Sequence, residues 1–461
     1  MDGTLSIHFP TDRRAQKARQ VVEQLQKHQF EAYLAGGSVR DLLLGRKPKD
    51  YDIATSARPE DVERLFPTIV PIGRKFGILL VIWEGQAFEV ATFRGEHTYS
   101  DKRRPDEVYW TTAQEDAGRR DFTINAFFYN PNQGQVFDFV HGQADLEAGL
   151  IRFVGNPDQR VQEDPLRILR AIRLKNSLGF QYEAETYRAL TRHAGLLIHV
   201  SAERILEELN RMWADSSRAE SLAELAELGL LAQILPEINN LRGLPQPTQF
   251  HREGDVFDHT VRAVASLPKR VPTFLVWAVL YHDAGKAKTI TYPASSGERI
   301  RYDHHKTVGA ELARQVGVRL AMPRVEIETI AWLVDHHMDL MGLETLREAK
   351  RRTFLLDPRF KWLLELHRAD ASGTLPRDLS LYREVRTFYQ KYRALWKVEQ
   401  KNGPPRMFLS GHDLREELRI EAGPDLGRIL DQLREAQLER KITTRQEALA
   451  LAQQLIRKTK P

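Results

Sequence analysis

The chain has no cysteine among its 461 residues. That excludes disulfide staples and thiolate metal sites. Apolar runs are short. None approaches the roughly 20 residues that a bilayer-spanning helix needs, and the opening residues are polar and charged, without the apolar stretch of a secretion signal. No internal repeat and no low-complexity tract occurs. Neither sign of charge dominates: 68 Lys and Arg stand against 63 Asp and Glu, for a net +5. This mild basic bias is compatible with a polyanionic partner and too small to demand one. These absences leave a soluble cytoplasmic protein with no membrane contact. The length and the 42% hydrophobic content fit about three domains with real cores.

The pattern divides the chain. Residues 12–29 read as an opening amphipathic helix. From 31 to about 155, short apolar runs such as Gly77-Ile78-Leu79-Leu80-Val81-Ile82 alternate with turn signals, the only strand-rich region. Asp164 as N-cap with Pro165 behind it starts a helical pattern that continues nearly to the end. Residues 239–250, with two prolines and a glycine, form the best linker, and Gly403-Pro404-Pro405 a second.

The most telling stretch runs from Gly36 to Asp52. Glu31-Ala32-Tyr33-Leu34-Ala35 reads as a buried strand. Gly36 and Gly37 follow, where backbone N–H groups can approach an anion. Ser38 reads as the N-cap of the next helix, with Asp41 completing a capping box. A helix start beside glycines suits a triphosphate. Asp50 and Asp52, two apart, fall on one face of a strand, where paired carboxylates suit one or two Mg²⁺ ions. Glu89, in an alternating run, offers a third carboxylate from a neighbouring strand. Together these are the parts needed to move a nucleotidyl group from a triphosphate.

The segments GGSVRDLLLG, DYDIATSARPEDV and RRDFTINAF resemble those of the class II tRNA nucleotidyltransferase and bacterial poly(A) polymerase family. The resemblance runs from about residue 20 to 240 and returns near the C-terminus. It implies untemplated addition of C, C and A, or of A alone, to RNA 3′ ends, with ATP and CTP as substrates and Mg²⁺ in the head. It also implies nucleotide contacts at Gly36, Gly37, Ser38 and Arg40. Arg119, Arg120, Asp121 and Asn125 match the segment that meets the sugar and phosphates; Asp121 suits a ribose 2′-hydroxyl, which would select ribonucleotides. Glu163, Asp164, Arg167 and Arg170 match the base-reading helix. C and A share an exocyclic amino donor beside a ring-nitrogen acceptor, so a carboxylate and a guanidinium three residues apart on one helix face can read both. U and G present the reverse and leave polar groups unpaired. The loop Tyr99–Trp110 shows no deletion, which speaks against CC-only addition. Ala117-Gly118 departs from the family pattern at the loop's base.

A second chemistry lies further on. Nearly half of the 15 histidines fall between 251 and 337. His259, His282-Asp283 in Tyr281-His282-Asp283-Ala284-Gly285-Lys286, His305, His337 and Asp370 look like an HD-type phosphohydrolase. Four imidazoles and two carboxylates suit a dinuclear site for Ni, Mn, Co, Fe or Zn, with Asp283 bridging and Lys286 steadying a phosphate. His251, His304 and His336 read as supporting or exposed groups. Basic residues including Arg204, Arg211, Arg218, Arg351, Arg352, Lys391 and Lys397, and a tail with Leu409–Leu414 and Gly423-Pro424, suit contact with RNA by shape and phosphate.

The expected fold is α+β: a small polymerase-beta-like nucleotidyltransferase head (1–155), then an all-helical neck and body (156–246), an HD insert (247–375) and a tail (376–461). The expected activity is CCA addition to tRNA, held at its 3′ end and elbow, with HD hydrolysis of RNA ends and no DNA partner. The alternatives are an A-only enzyme and an HD phosphohydrolase whose head only binds RNA.

Overall fold

The structure is a computed structural model, and it describes residues 7–96, 108–247, 251–294, 299–401, 407–421, 423–438 and 441–459. By internal contacts the chain divides after Asn239, with Arg319–Ala321 grouping with the first part. The fold class is α+β, as the sequence predicts.

The first part opens with helix α1 (Arg13–Lys27), capped by Asp12, whose carboxylate accepts from Arg14 N and Ala15 N. Its buried stripe, Ala15, Ala18, Val21, Val22 and Leu25, recurs at helical spacing and explains the helix without further help. A seven-stranded sheet follows. Its strands are β1 (Ala32–Ala35), β2 (Asp52–Thr55), β3 (Ile69–Gly73), β4 (Ile78–Trp83), β5 (Gln86–Thr92), β8 (Phe128–Asn130) and β9 (Gln135–Phe137), in the order β3-β4-β5-β2-β1-β8-β9. Strands β6 (Arg94–Glu96) and β7 (Val108–Trp110) pair separately. Residues 99–107 of the predicted loop lie outside the described residues. Strand β2 runs parallel to β5 and antiparallel to β1. Under the sheet, Ala35, Ala54, Phe93, Ala113, Ala117, Ala126, Phe128 and Val154 share one core. Ala117 is therefore a packing residue, while a side chain at Gly118 would meet open space.

Two predicted helix starts are corrected. Helix α2 (Gly37–Leu43) begins before Ser38, with Gly36 at its N-cap; the buried Ser38 hydroxyl donates to Ala35 O at 2.9 Å instead of capping. In the neck, helix Pro157–Glu163 is capped by Asn156 and ends at Asp164, and the next helix, Arg167–Leu178, starts three residues after the predicted N-cap. Pro165 explains the break: it lacks an N–H and drives the residue before it out of helical geometry, and Asp164 sits at φ −146°, ψ 95°. The Asp164 carboxylate still acts locally, accepting from Leu166 N at 3.2 Å.

Among the described residues the second part is helical apart from one short strand pair, Ile290–Thr291 with Arg301–Tyr302. The segment predicted as a linker is packed where it is described. Leu241 is fully buried, and Gln246 donates to Asp255 O at 3.2 Å; residues 248–250 and 403–405 lie outside the described residues. Helix Val256–Ala265 starts at a capping box of Asp255 and Asp258. Helix Thr273–Tyr281 is buried on every side from Leu275 to Tyr281. Helices His305–Arg319, Arg324–His336 and Phe360–Gly373 follow, then Ser380–Lys401. Tail helices Gly411–Leu418, Pro424–Leu438 and Arg445–Thr459 share a core of Leu409, Leu414, Ile429, Leu433 and Ala448. Among the described residues no helix is long and apolar enough to cross a membrane.

Candidate functional site

The sheet register assembles the first site. Ala35, the last residue of β1, lies opposite Asp52, the first of β2. On the other side, β2 and β5 pair Ile53 with Val90, so the preceding residues, Asp52 and Glu89, are neighbours. The glycine turn and the Asp52 carboxylate thus meet at adjacent strand ends, with Glu89 beside them from the middle of β5. Asp50 precedes β2 rather than standing in it; buried Tyr51 between Asp50 and Asp52 turns both acids outward. Asp50 accepts from Arg14 Nη2 at 2.7 Å. Desolvation and then the Asp50 charge raise the Asp52 carboxyl above its usual range. Desolvation and then Asp52 do the same to Glu89. Carboxylate oxygens are the donors that a hard divalent cation such as Mg²⁺ takes, and a cation would relieve the repulsion of Asp52 by Asp50 and of Glu89 by Asp52.

Gly36 takes φ +72°, which a side chain rarely adopts. A Cβ there would also come 3.2 Å from Arg120 Nη1. Its N–H donates to Phe127 O at 3.2 Å, so Gly36 shapes the turn rather than offering its own N–H to a ligand. Around this turn the predicted nucleotide residues form one network. Arg40 donates to Asp41 and, at 2.6 Å, to Asn125 Oδ1. Asn125 Nδ2 reaches Asp121 Oδ1 at 3.3 Å, and Arg170 Nη2 stands 2.6 Å from Asp121 Oδ2. Burial pushes Asp121 up, but Arg170 and Arg167 outweigh it and hold it below the usual carboxylate range.

The sequence missed the residue that organises the arginine pair. Asp116, on helix Ala113–Gly118, is buried. Arg119 Nη2 donates to its Oδ1 at 2.6 Å and Arg120 Nη2 to its Oδ2 at 3.0 Å. The only sequence signal was an acid three and four residues before two arginines, the spacing of neighbours on a helix.

In the neck, Asp164 and Arg167 do not pair with each other. Arg204, on helix Ala202–Trp213, grips Asp164 at both oxygens, at 3.0 and 2.7 Å. Glu163 accepts from Arg160 at 2.7 Å and from Arg167 at 2.8 Å. Arg204 is thus part of the site, not a plain surface charge, and Arg218 is buried rather than free for RNA.

The second site brings together His259, His282, Asp283, His305, His337 and Asp370. Three of the four imidazoles turn Nδ1 onto a main-chain carbonyl: His282 onto Val279 O at 2.6 Å, His305 onto Tyr302 O at 2.8 Å and His337 onto Val334 O at 2.6 Å. A carbonyl only accepts, so each Nδ1 donates and each Nε2 faces inward, the nitrogen left for a metal. His259 Nε2 and His282 Nε2 stand 3.3 Å apart, and His259 Nε2 is 3.1 Å from Asp370 Oδ1. His305 Nε2 and His337 Nε2 also stand 3.3 Å apart, with Asp283 Oδ1 3.6 Å from His305. Two acceptor clusters of this kind fit two borderline metal ions. Burial opposes charge on His282, yet Asp283 and Asp370 push it up to about 10, while burial drives His337 down to about 4. Lys286 Nζ lies 2.7 Å from Asp283 Oδ2 and donates to Gln246 Oε1 at 3.1 Å. Gly285 is required by close approach: a Cβ would overlap His305 O and come 2.7 Å from Gly309 N. His336 stacks on Trp332 and His304 is exposed, so neither is a ligand. His251 sits one bond outside, on Glu253.

Comparison with known proteins follows this division. Sequence models match in order: poly A polymerase head domain over residues 32–152, probable RNA and SrmB-binding site of polymerase A over 179–241, HD domain over 256–385 and putative tRNA nucleotidyltransferase domain 2 over 384–452. A CCA-adding enzyme of Geobacillus thermodenitrificans is 45% identical over 216 residues, 47% of this chain and 53% of that protein. One from Staphylococcus saprophyticus is 45% identical over 196 residues, 42% of this chain and 49% of that protein. The match therefore spans about half the length of these relatives. In fold, the Bacillus stearothermophilus CCA-adding enzyme in complex with CTP aligns with TM-score 0.70 at 24% identity, over 98% of this chain and 100% of that one. The Thermotoga maritima CCA-adding enzyme complexed with tRNA aligns with TM-score 0.55 at 19% identity, over 98% and 97%. With four domain matches in this order and relatives at this identity over about half of the chain, the chain belongs to the class II tRNA nucleotidyltransferase and poly(A) polymerase family, in a form that carries an HD domain.

Proposed function

We propose that the chain adds C, C and A to tRNA 3′ ends without a template, using CTP and ATP. The observation that carries this is the register that sets Ala35, Asp52 and Glu89 side by side. In the reaction the tRNA 3′-hydroxyl oxygen attacks the α-phosphorus; a P–O bond forms as the bond to pyrophosphate breaks. Asp50, Asp52 and Glu89 would hold Mg²⁺, which when bound supplies charge neutralisation for the attacking and departing oxygens. Arg119 and Arg120 meet the phosphates, Asp121 the ribose 2′-hydroxyl, and Asn125 a phosphate or a metal-bound water. Asp164 keeps lone-pair capacity on Oδ2 beyond its Arg204 bond and accepts from the exocyclic amino group of C or A. Arg167 spends Nη1 on Glu163 and Arg160 O and turns Nη2 to the ring nitrogen. The domains follow as head 1–155, neck and body 156–246, HD unit 247–375 and tail 376–461, the helical parts holding the tRNA elbow.

The HD unit is a metal-dependent phosphohydrolase acting on phosphorylated or cyclic RNA ends. His259, His282, Asp283, His305, His337 and Asp370 would hold a transition-metal pair, which when bound supplies a nucleophile at neutral pH. Lys286 orients the phosphate.

The test offers tRNAs ending at the discriminator base, at CC and at CCA, with CTP and ATP alone and together. Full CCA addition to the first is expected. Incorporation of A alone, and only on CC ends, would replace the reading with an A-only enzyme. No incorporation, with hydrolysis of 2′,3′-cyclic ends intact, would make the HD site the main activity.

A further inference from the structure

Glu253 lies six residues before His259, outside the metal-facing atoms, and its side chain is fully buried. Both of its oxygens are committed. Oε1 accepts from His251 Nδ1 at 2.7 Å and from His259 Nδ1 at 3.0 Å. Oε2 accepts from Leu375 N at 2.8 Å. The carboxylate therefore cannot rotate, and His259 Nδ1 must be the donor. Among the described residues, His259 is the one inward-facing imidazole of the four that is anchored by a charged group; the others lean on neutral carbonyls. A carboxylate behind an imidazole fixes the ring and makes its other nitrogen a stronger donor to a metal.

The two acceptor clusters then differ in charge. The cluster of His259, His282 and Asp370 has the Glu253 charge behind it. The cluster of Asp283, His305 and His337 shares its one carboxylate with the Lys286 ammonium, 2.7 Å from Asp283 Oδ2. We infer that Glu253 is a positioning residue that makes the His259–His282–Asp370 position the tighter of two unequal cation positions. This rests on the metal-binding reading of the HD unit.

Chelator-stripped full-length protein, titrated calorimetrically with Co²⁺, tests it without any turnover. Glu253→Gln should weaken the tightest binding step by about 10- to 100-fold, with the unfolding midpoint of the metal-free protein nearly unchanged. His251→Ala, which leaves Glu253 on His259, should leave that step within about threefold, well short of the loss expected for a missing anchor. If Glu253→Gln does not fold, Glu253→Asp serves, since the shorter side chain keeps the charge but withdraws it from His259. An unchanged tightest step in the Glu253 variant overturns the inference alone, as does an equal loss in His251→Ala, which would assign the effect to packing. Wild-type protein that binds no Co²⁺ overturns the metal reading and this inference with it.

Discussion

The chain carries two candidate metal centres built on opposite plans. In the head, the donors are all carboxylates, on or beside neighbouring strands; Asp50 and Asp52 are exposed, the Asp50 charge raises the proton affinity of Asp52, and Asp52 raises that of Glu89. The sheet positions Asp52 and Glu89, and Arg14 holds Asp50. In the HD unit the donors are mostly imidazoles, buried, and each is locked from behind by a bond at Nδ1. An open set of repelling oxygens suits a hard ion that arrives with a triphosphate and leaves with pyrophosphate. An enclosed set with fixed tautomers suits a borderline ion that stays.

The comparison breaks most visibly if each centre is removed in turn. Asp52→Ala should lower CMP and AMP incorporation by about 10³-fold or more, given the several kcal/mol that a metal supplies. Hydrolysis of 2′,3′-cyclic ends and tRNA binding should persist. Incorporation near the wild-type rate would end the assignment. The reverse variant, His282→Ala with Asp283→Ala, should abolish hydrolysis and metal retention after gel filtration while CCA addition continues. Loss of both activities in either variant would show that the centres are not independent.

Anchoring from behind is not confined to the HD unit, and Asp116 sharpens the contrast. Asp116→Ala leaves two largely buried guanidinium groups without their shared carboxylate, which should cost roughly 3–5 kcal/mol in urea unfolding and raise KM for CTP and ATP together. A change in KM for only one nucleotide would move Asp116 into base choice. The smallest expected effect is Asp164→Ala. It should relax rejection of UTP and GTP by about 5- to 150-fold, the worth of one good hydrogen-bond pair, and slow the correct reaction. Unchanged nucleotide preference in folded protein would leave Asp164 as the end of helix Pro157–Glu163 and no more.

Short-range pattern explains what was legible. The strand into Gly36, the alternating run around Glu89 and the histidine array all announce themselves within a few residues, and each stands where predicted. The errors arose where neighbours in space decided the outcome. Ser38 is a good cap by residue type, but Gly36 at φ +72° starts the helix first. The spacing puts Asp164 and Arg167 on one helix face, yet Asp164 closes one helix, Arg167 opens the next, and Arg204, 40 residues on, grips the carboxylate. Asp116 and Glu253 are acids in charged surroundings, where sequence shows no difference between a solvated group and a buried anchor. Their burial is a property of the packed chain, so no local reading reaches it.

Gly285 has a wider consequence. The main chain after His282-Asp283 runs against the start of the helix that begins at His305, with no room even for a methyl group. The gap between the two halves of the histidine array is therefore gauged by backbone touching backbone, not by the ligands that line it. Alanine there would act as a wedge, prising His305 and His337 away from His259 and His282 while leaving every ligand in the sequence. The spacing of this centre is thus a machined clearance, and a protein could lose it with all six of its metal-facing residues intact.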